Sequence, residues 1–416
     1  MSSRTAPPWP LVALFTAGYL ASYLLPTTVG RLDSGLPLSA TEAGSIGSAL
    51  LLSSATAGFL LAAHVRRIGP RRLARAGLLC AAVGYGTAAL SHGIPVVVAG
   101  AVVGGFGSGT VTTVAATGIA AQRDPHRSST LGLLAVSALA GAVYLTVPHL
   151  GPGHGLPLAA IALTALLVWP ATARLTSDGP ATTATRESGR LPHPRSGLVL
   201  AAGMLCWSLA QNSLWGVSGR IGLTQAHLTE VTVGAVFAVA LGAGLLGVMG
   251  AGALGPRLGR ALPIGAGTAL IAGCIAVSAS ATGLGTFAAG EIAWNTLYPI
   301  VLSYLIGLAA SLDGRGRWAV LAGSASSLGT AAGPLTGSVL SAQAGFPAMG
   351  AILAAGLLAI VFPLSAVALR TGGRTLRPAT VRRGWGSPQR EELGGGAPVV
   401  EVPDAYENAY ASTSAR

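Results

Sequence analysis

"RRIGPRRLARAG", residues 66–77, is the stretch that decides the fold, because a second copy of it follows 190 residues later. The second copy reads "PRLGRALPIGAG", residues 256–267. Alignment at this offset pairs identical residues: Arg67 with Arg257, Gly69 with Gly259, and Gly77 with Gly267. A second echo follows, in which "DPHR" (124–127) matches "DGRGR" (313–317) at nearly the same offset. Two matches at nearly the same spacing indicate that the chain contains two copies of one unit.

The composition around these copies is that of a membrane protein. Of 416 residues, 51% are hydrophobic and only 9% are charged, against about 25% charged residues in soluble domains. The net charge of +12 raises the alternative of nucleic-acid or phosphate binding. However, the basic residues form short runs between apolar stretches, which is typical of cytoplasmic loops. We therefore expect no nucleic-acid partner.

The apolar runs predict the number of membrane-spanning helices. A helix that crosses the bilayer needs about 20 mainly apolar residues, and twelve such runs are present. They lie near 9–30, 43–63, 73–91, 95–121, 129–149, 156–175, 198–219, 231–252, 262–281, 284–309, 318–340 and 346–369. The first run could pass for a signal peptide, but eleven further spans favour an uncleaved first helix.

Arginine placement predicts the orientation. The loops after even-numbered spans carry the arginine clusters: Arg66, Arg67, Arg71, Arg72 and Arg75; Arg123 and Arg127; Arg174, Arg186, Arg190 and Arg195; Arg257 and Arg260; and Arg315 and Arg317. The opposite loops hold only Arg31 and Arg220. By the positive-inside rule, both termini are cytoplasmic.

These patterns give a domain plan for the whole chain. Residues 176–197 are polar and rich in Gly, Pro, Ser and Thr, which is typical of a linker. The end of the chain turns Arg-rich and then acidic, which predicts disorder. The plan is an N-terminal tail (1–8), a six-helix half (9–175), a cytoplasmic linker (176–197), a second six-helix half (198–370) and a disordered tail (371–416).

Twelve helices in two similar halves, with a basic turn after spans 2 and 8, resemble the major facilitator superfamily. The family motif in this turn is G-x-L-a-D-R-x-G-R-R. The first copy here keeps Arg67, Gly69, Arg71 and Arg72, and the second keeps Gly252, Ala253, Leu254, Arg257, Leu258, Gly259 and Arg260. In both copies the family aspartate is missing, since Arg66 and Pro256 stand in its place. The resemblance implies the fold. In the family the aspartate helps to hold the cytoplasmic side closed, and its absence here means that this latch is not expected.

A second family pattern lies in span 11, where "GTAAGPLTG" places Gly329, Gly333, Pro334 and Gly337. It is similar to the G-x-x-x-G-P-x-x-G pattern that antiporters of the family carry in helix 5. Small residues at this spacing let helices approach closely, and a proline bends the helix. We interpret the pattern first as a packing device.

The resemblance implies a central cavity lined by spans 1, 4, 7 and 10. Polar and aromatic side chains are concentrated in three of these spans: Tyr19 and Tyr23; Trp207, Gln211, Asn212 and Trp215; and Glu291, Trp294, Asn295 and Tyr298. Glu291, Asn295 and Tyr298 follow helical spacing and are predicted to share one face. We expect these residues to bind a mainly apolar or aromatic compound. The alternative is an interfacial aromatic belt with hydrogen bonds between helices.

Glu291 is the only acidic residue placed well inside a span. A charged side chain at the centre of a membrane helix costs about 2.5–3.5 kcal/mol, and apolar surroundings favour the neutral, protonated form of a carboxyl group. We hypothesise that Glu291 exchanges a proton and couples transport to the proton gradient. The alternatives are a hydrogen bond to a neighbouring helix or an ion pair with Arg220.

The predicted function is secondary active transport of small molecules across the bacterial plasma membrane. Proton-coupled efflux of amphipathic or aromatic compounds is favoured, with uptake of an aromatic or other nutrient as the alternative. No Walker-type loop is present, and neither the three cysteines nor the seven histidines show metal-ligand spacing. A non-transporting receptor and an intramembrane enzyme remain alternatives, although a single acid offers little for catalysis. We expect a monomer in the lipid bilayer, with a small-molecule substrate, protons and no cofactor or metal.

Overall fold

The computed structural model describes residues 8–175, 191–254, 258–313 and 316–372. Every regular element in these residues is a helix. The prediction of an all-α membrane protein is therefore confirmed. The predicted disordered tail from 373 onward and most of the predicted linker, 176–190, lie outside the described residues.

The first half contains six helices. They are α1, bent between the segments Trp9–Tyr23 and Leu25–Gly35; α2, Ala40–Leu61; α3, Pro70–Leu90; α4, Ile94–Ala120; α5, Pro125–Thr146; and α6, Leu156–Val168. A short helix, Val65–Ile68, lies between α2 and α3, and a 3₁₀ turn, Trp169–Arg174, continues α6.

The second half repeats this arrangement. Its helices are α7, Pro194–Arg220; α8, Glu230–Leu254; α9, Ala261–Ala279; α10, Leu284–Leu312; and α11 (317–344) and α12 (346–372), which together form the run Arg317–Gly372. The last run is divided at Gly345, whose φ of 80° and ψ of 165° are not helical. A π-helical turn, Ile221–Gln225, follows α7.

The number of membrane crossings follows from helix length and apolarity. Ten helical segments of the described residues pass this test, or eleven when the two parts of α1, bent by 47°, count as one span. One of the ten is the 55-residue stretch Arg317–Thr371, which at ~1.5 Å per residue exceeds twice the ~30 Å hydrocarbon core. The break at Gly345 divides this stretch into two lengths that each fit. The count of twelve crossings and the cytoplasmic termini stay predictions.

Two helices extend beyond the domain bounds predicted for their half of the chain. Helix α7 begins at Pro194, inside the predicted linker 176–197. A proline in the first turn suits a helix start, because its missing N–H would have no partner there. Helix α12 continues to Gly372, two residues beyond the predicted end of the second half at 370.

The same glycine of the repeated motif has a positive φ in both halves. Gly69 has a φ of 98° and Gly259 a φ of 63°, a region that side chains with a Cβ rarely adopt. The glycine at this position is therefore required by the backbone. Arg67, in the short helix after α2, and Gly252, near the end of α8, are exposed, and Arg257 lies outside the described residues.

The glycines of α11 pack against α7. A Cβ on Gly329 would collide with the main chain at Leu205, and one on Gly337 would collide with the main chain of Ser213. A Cβ on Gly333 would meet Asn212 in the same way. Three glycines one turn apart thus let α11 lie directly on α7, as expected for a small-residue stripe.

Pro334, inside the same stripe, touches both neighbours of α11. Its side chain and Cα lie against Gly216 of α7, and its Cβ lies against Gly47 of α2. The proline ring therefore fills the space that these two glycines leave open.

The two halves meet at the end predicted to face outside. Arg31 in α1 pairs with Glu230 at the start of α8, with 2.6 Å between Nε and Oε1. Arg220 at the end of α7 pairs with Asp33 in α1, with 3.2 Å between Nε and Oδ2. Deeper in the bundle, the hydroxyl of Ser48 in α2 accepts from the main-chain N–H of Leu335 in α11 at 2.9 Å. These contacts join the two halves.

Candidate functional site

Helices α7 and α10 run antiparallel, and their side chains meet at several points along their length. Trp207 stacks on Tyr298, with ring centroids 5.0 Å apart and an interplanar angle of 25°. Gln211 Oε1 accepts from Trp294 Nε1 at 2.5 Å. Ser218 Oγ lies 2.8 Å from Glu291 Oε1. The residues of α10 in these contacts are Glu291, Trp294 and Tyr298, all three among the residues predicted for the site.

Glu291 is completely buried at this junction. Its Oε1 atom lies within hydrogen-bonding distance of Ser218 of α7 and of Ser278 of α9, the latter at 2.6 Å. Within the described part of the chain, its Oε2 atom has no hydrogen-bond partner. The carboxyl group thus has one oxygen held by two helices and one oxygen available.

The hydroxyl of Ser218 has two acceptors within reach but only one hydrogen. Besides Glu291, it can donate to the carbonyl oxygen of Leu214 at 3.0 Å. A charged Glu291 would share this hydrogen with the carbonyl of Leu214, whereas a protonated Glu291 could donate to Ser218 Oγ and leave the hydrogen to Leu214. The contacts at this site therefore accommodate both protonation states of Glu291.

Arg220 does not pair with Glu291. Its guanidinium group binds Asp33 through Nε and lies over the ring of Phe346, 5.4 Å from the centroid. Of the two structural alternatives for Glu291, the hydrogen bond to a neighbouring helix is present and the ion pair with Arg220 is absent from the described contacts.

The aromatic side chains of the second half form one continuous cluster. Trp294 lies 6.2 Å from Tyr298 and 5.5 Å from Trp215, measured between ring centroids. Trp215 meets Phe237 of α8 edge-on at 5.3 Å. Phe237 in turn lies 5.1 Å from Tyr144 of α5, in the first half. Large aromatic faces thus extend from α10 across the boundary between the halves.

The predicted amide residues differ in what they bind. The Nδ2 atom of Asn212 donates to Ser208 O at 2.9 Å and to Thr330 Oγ1 at 3.3 Å. Asn295 Nδ2 donates to the carbonyl of Glu291 in its own helix at 3.0 Å. Gln211 is fully buried, and its Nε2 atom has no partner in the described residues. The amide of Gln211 therefore keeps a donor for a ligand, whereas Asn212 and Asn295 are already bonded.

Tyr19 and Tyr23 approach the site from α1. Both are partly exposed, and both lie within electrostatic range of Tyr298 of α10. Tyr19 also packs on Phe15, with ring centroids 4.5 Å apart. The structure thus brings these tyrosines near Tyr298 of α10.

Two residues of the site were missed by the sequence reasoning. Ser218 continues the stripe of Trp207, Gln211 and Trp215 by three residues, so extending that stripe to the helix end would have found it. Ser278, near the end of α9, belongs to no pattern and carries no signal in the sequence.

In the described residues, no group of three or more His, Cys, Asp or Glu side chains could hold a metal ion. Cys80, Cys206 and Cys274 are free thiols. The chemistry that this site offers is hydrogen bonding, aromatic contact and proton exchange at one carboxyl group.

Fold and site together define a helical membrane protein of two six-helix halves with a polar and aromatic centre. The family description Major Facilitator Superfamily matches residues 11–312, more than half of the chain. The chain belongs to the major facilitator superfamily and is a membrane transporter of that family. A comparison with curated protein sequences gives no match.

Two solved structures share the fold at low sequence identity. One is the human organic anion transporter MFSD10 (TETRAN), with a TM-score of 0.62 and 17% identity, covering 86% of this chain and 99% of that one. The other is a bacterial homologue of the human lysosomal transporter Spinster in an inward-facing, unoccupied conformation. Its TM-score is 0.64 at 15% identity, and the match covers 88% of this chain and 96% of that one.

Proposed function

We propose that this protein is a proton-driven secondary transporter that exports small amphipathic or aromatic compounds across the bacterial plasma membrane as a monomer. The observation that carries the proposal is the complete burial of Glu291, with Oε1 shared between two serines and Oε2 without a partner among the described residues. A carboxyl group in the membrane marks a proton or substrate path more often than a packing site.

Proton exchange at Glu291 has a direct structural effect. A neutral Glu291 can donate to Ser218 Oγ, which leaves the hydroxyl hydrogen of Ser218 for Leu214. Once the proton leaves, the hydrogen of Ser218 is drawn towards the carboxylate and its bond to Leu214 weakens, because the hydroxyl has only one hydrogen. The contact between α7 and α10 therefore changes with the protonation of Glu291, which links the proton to the packing of the second half.

Contacts at one end of the bundle support transport by alternating access. The pairs Arg31–Glu230 and Arg220–Asp33 join the halves at the predicted outer end. The solved Spinster homologue, which has the same fold, is inward-facing. A bundle that is closed outside and receives its substrate from the cytoplasm suits the first step of export.

The chemistry of the site favours neutral or cationic substrates. Aromatic rings and the free Nε2 of Gln211 suit a planar compound that carries a hydrogen-bond acceptor. In the described part of the chain, the basic residues of α1 and α7 lie at the helix ends, and both Arg31 and Arg220 are paired. The name of MFSD10 refers to organic anions, but the centre described here offers no cation to bind one.

Growth of an efflux-deficient bacterium on a panel of toxic compounds, including cationic aromatic dyes such as ethidium, tests the proposal. Cells with the wild-type protein should tolerate at least one compound, and cells with Glu291→Gln should not. Glu42→Gln is the matched control, because Glu42 is exposed in a capping box that a glutamine preserves. If no compound in the panel gives protection, export of this class is refuted and accumulation of nutrients should be measured instead.

Coupling requires a separate measurement with any compound that scores. Purified protein in liposomes that contain a pH-sensitive dye should move protons when a gradient of that compound is imposed. Glu291→Gln should abolish the proton flux. A mutant that still transports in response to an imposed pH gradient would refute the coupling role of Glu291.

A further inference from the structure

The bend in α1 leaves the main-chain carbonyl of Ser22 without its usual helical partner. The two segments of α1 meet at Leu24, whose φ of −92° and ψ of 7° depart from helical values, and they diverge by 47°. Pro26 follows the bend directly. Because a proline has no N–H, the carbonyl of Ser22, four residues earlier, cannot be satisfied within the helix.

Side chains from other helices bind the carbonyls at this bend. The indole Nε1 of Trp215 in α7 donates to Ser22 O at 3.1 Å. The hydroxyl of Tyr144 in α5 donates to Tyr23 O at 2.6 Å. The two bonds differ in one respect: Tyr144 belongs to the same half as α1, whereas Trp215 belongs to the other half.

The backbone of α7 reaches the bend closely enough to place Trp215 there. A Cβ on Gly219 would lie 3.0 Å from the carbonyl oxygen of Pro26. Trp215 is 93% buried (7% exposed) between Trp294 and Phe237, which fix its ring. The donor is thus held in position by its own half and meets its acceptor only when the two halves touch at this end.

We propose that the Trp215–Ser22 hydrogen bond is a latch that stabilises the outside-closed conformation, with Pro26 keeping its acceptor available. When the halves separate at the outer end, the Ser22 carbonyl loses Trp215 and is hydrated instead. When they close, water is expelled, and a carbonyl without the indole would be buried unpaired, which is costly. The bond therefore favours closure, and Trp215 acts as a gate residue rather than as a substrate ligand.

The inference rests on the proposed alternation of the halves, but its test needs no substrate, so its failure is distinguishable from a failure of the export proposal. A small crevice of about 140 Å³ lies between the halves at the outer end and is lined by Gly30, among others. A Cβ on Gly30 would meet nothing within 4 Å. Gly30→Cys, in a protein whose three native cysteines are replaced by serine, therefore reports opening through its labelling rate by a membrane-impermeant maleimide applied to intact cells.

The decisive comparison is a double-mutant cycle between Trp215→Phe and Pro26→Ala in the Gly30→Cys protein. Trp215→Phe keeps a ring but removes the donor, and we expect labelling to rise about tenfold, the factor for one hydrogen bond of ordinary net strength. Pro26→Ala supplies a main-chain N–H that can bond to the Ser22 carbonyl within α1. The bond to Trp215 then no longer favours the closed conformation, so the labelling rate should rise as well. The double mutant should label no faster than the faster single mutant.

Tyr144→Phe is the matched control, because it removes a hydrogen bond to the same bend within one half. Its labelling rate should equal that of the parent. The latch would be refuted if Trp215→Phe labels at the parent rate. It would also be refuted if the increase in labelling rate of the double mutant equals the product of the increases of the two single mutants. If Trp215→Phe does not reach the membrane, the labelling of Pro26→Ala decides: an increase supports the latch and no change refutes it.

Discussion

The hydroxyl of Ser278 on α9 lies 2.6 Å from Oε1 of Glu291 on α10, and no second acceptor for that hydroxyl is found among the described hydrogen bonds. Ser218, by contrast, divides its hydrogen between Glu291 and Leu214. Two serines thus bind the same carboxyl oxygen, but only Ser278 is dedicated to it.

Ser278→Ala should therefore destabilise the protein more than Ser218→Ala. Removing the donor of a buried acceptor costs about 1–3 kcal/mol. The cost should be smaller for Ser218, because its hydroxyl is shared with the carbonyl of Leu214, which stays bonded within its helix. Thermal unfolding in detergent measures the difference. In a Glu291→Ala background the two substitutions should become nearly equal, and a persisting difference would show that Ser278 acts through another group.

The two ion pairs between the halves should differ in their contribution to stability. Arg31 is 4% exposed and also donates to the carbonyls of Gly151, Gly153 and Val147. Arg31→Gln leaves these acceptors and Glu230 unpaired and should cost about 3–5 kcal/mol. Arg220→Gln breaks one longer, partly exposed pair with Asp33 and should cost about 1 kcal/mol or less. Equal unfolding midpoints of the two variants would contradict this ranking.

The glycine stripe of α11 gives a test of packing with an internal control. A Cβ on Gly337 would collide with the main chain of Ser213 in α7, whereas one on Gly323, in the same helix, meets nothing within 4 Å. Gly337→Ala should cost about 1–3 kcal/mol because the helices must separate. Gly323→Ala should be neutral or stabilising by up to ~1 kcal/mol, since alanine favours the helix. Unfolding curves of the two purified variants make the comparison.

A disulfide can test whether the halves must separate at the outer end. A Cβ on Gly141 of α5 would lie 3.7 Å from the Cβ of Ala238 of α8, within the ~3.5–4.5 Å range of disulfides. Gly141→Cys with Ala238→Cys, without the native cysteines, should cross-link on oxidation. Transport of a scoring compound should then stop and return on reduction.

Each cysteine alone serves as the control for the cross-link and should be insensitive to oxidant. Mass spectrometry of the joined peptides verifies the bond. Full transport by the cross-linked protein would mean that α5 and α8 do not part during the cycle.

Much of the fold could be predicted from the sequence because membrane helices are dictated by local composition. Runs of apolar residues place every helix, and the turn at Gly69 and Gly259 follows from a repeated motif whose glycines adopt positive φ. The apolar runs 318–340 and 346–369 predict a break between α11 and α12, but not that a single non-helical residue, Gly345, makes it. The early start of α7 was missed because polar residues near Pro194 resemble the linker.

The site was predictable only where residues repeat along one helix. Trp207, Gln211 and Trp215 follow helical spacing, so their approach to α10 could be expected. Which residue of α10 meets them depends on the rotation of two helices about their axes. Periodicity placed Asn295 on one face with Glu291 and Tyr298, and the side chain that bonds to Gln211 is that of Trp294. The partner of Arg220 lies in the other half of the chain, and pairing over such a distance has no local pattern.

The junction at Gly345 has a mechanical consequence. Because α11 and α12 are joined through a single residue, no loop absorbs relative movement, and a tilt of α11 is carried into α12. Helix α12 bears exposed apolar side chains, among them Ile352, Leu358 and Phe362, which face the surroundings that the helix must displace. We expect the transport rate to depend on how easily the surrounding lipid is displaced, so that transport is slower in stiff, ordered bilayers.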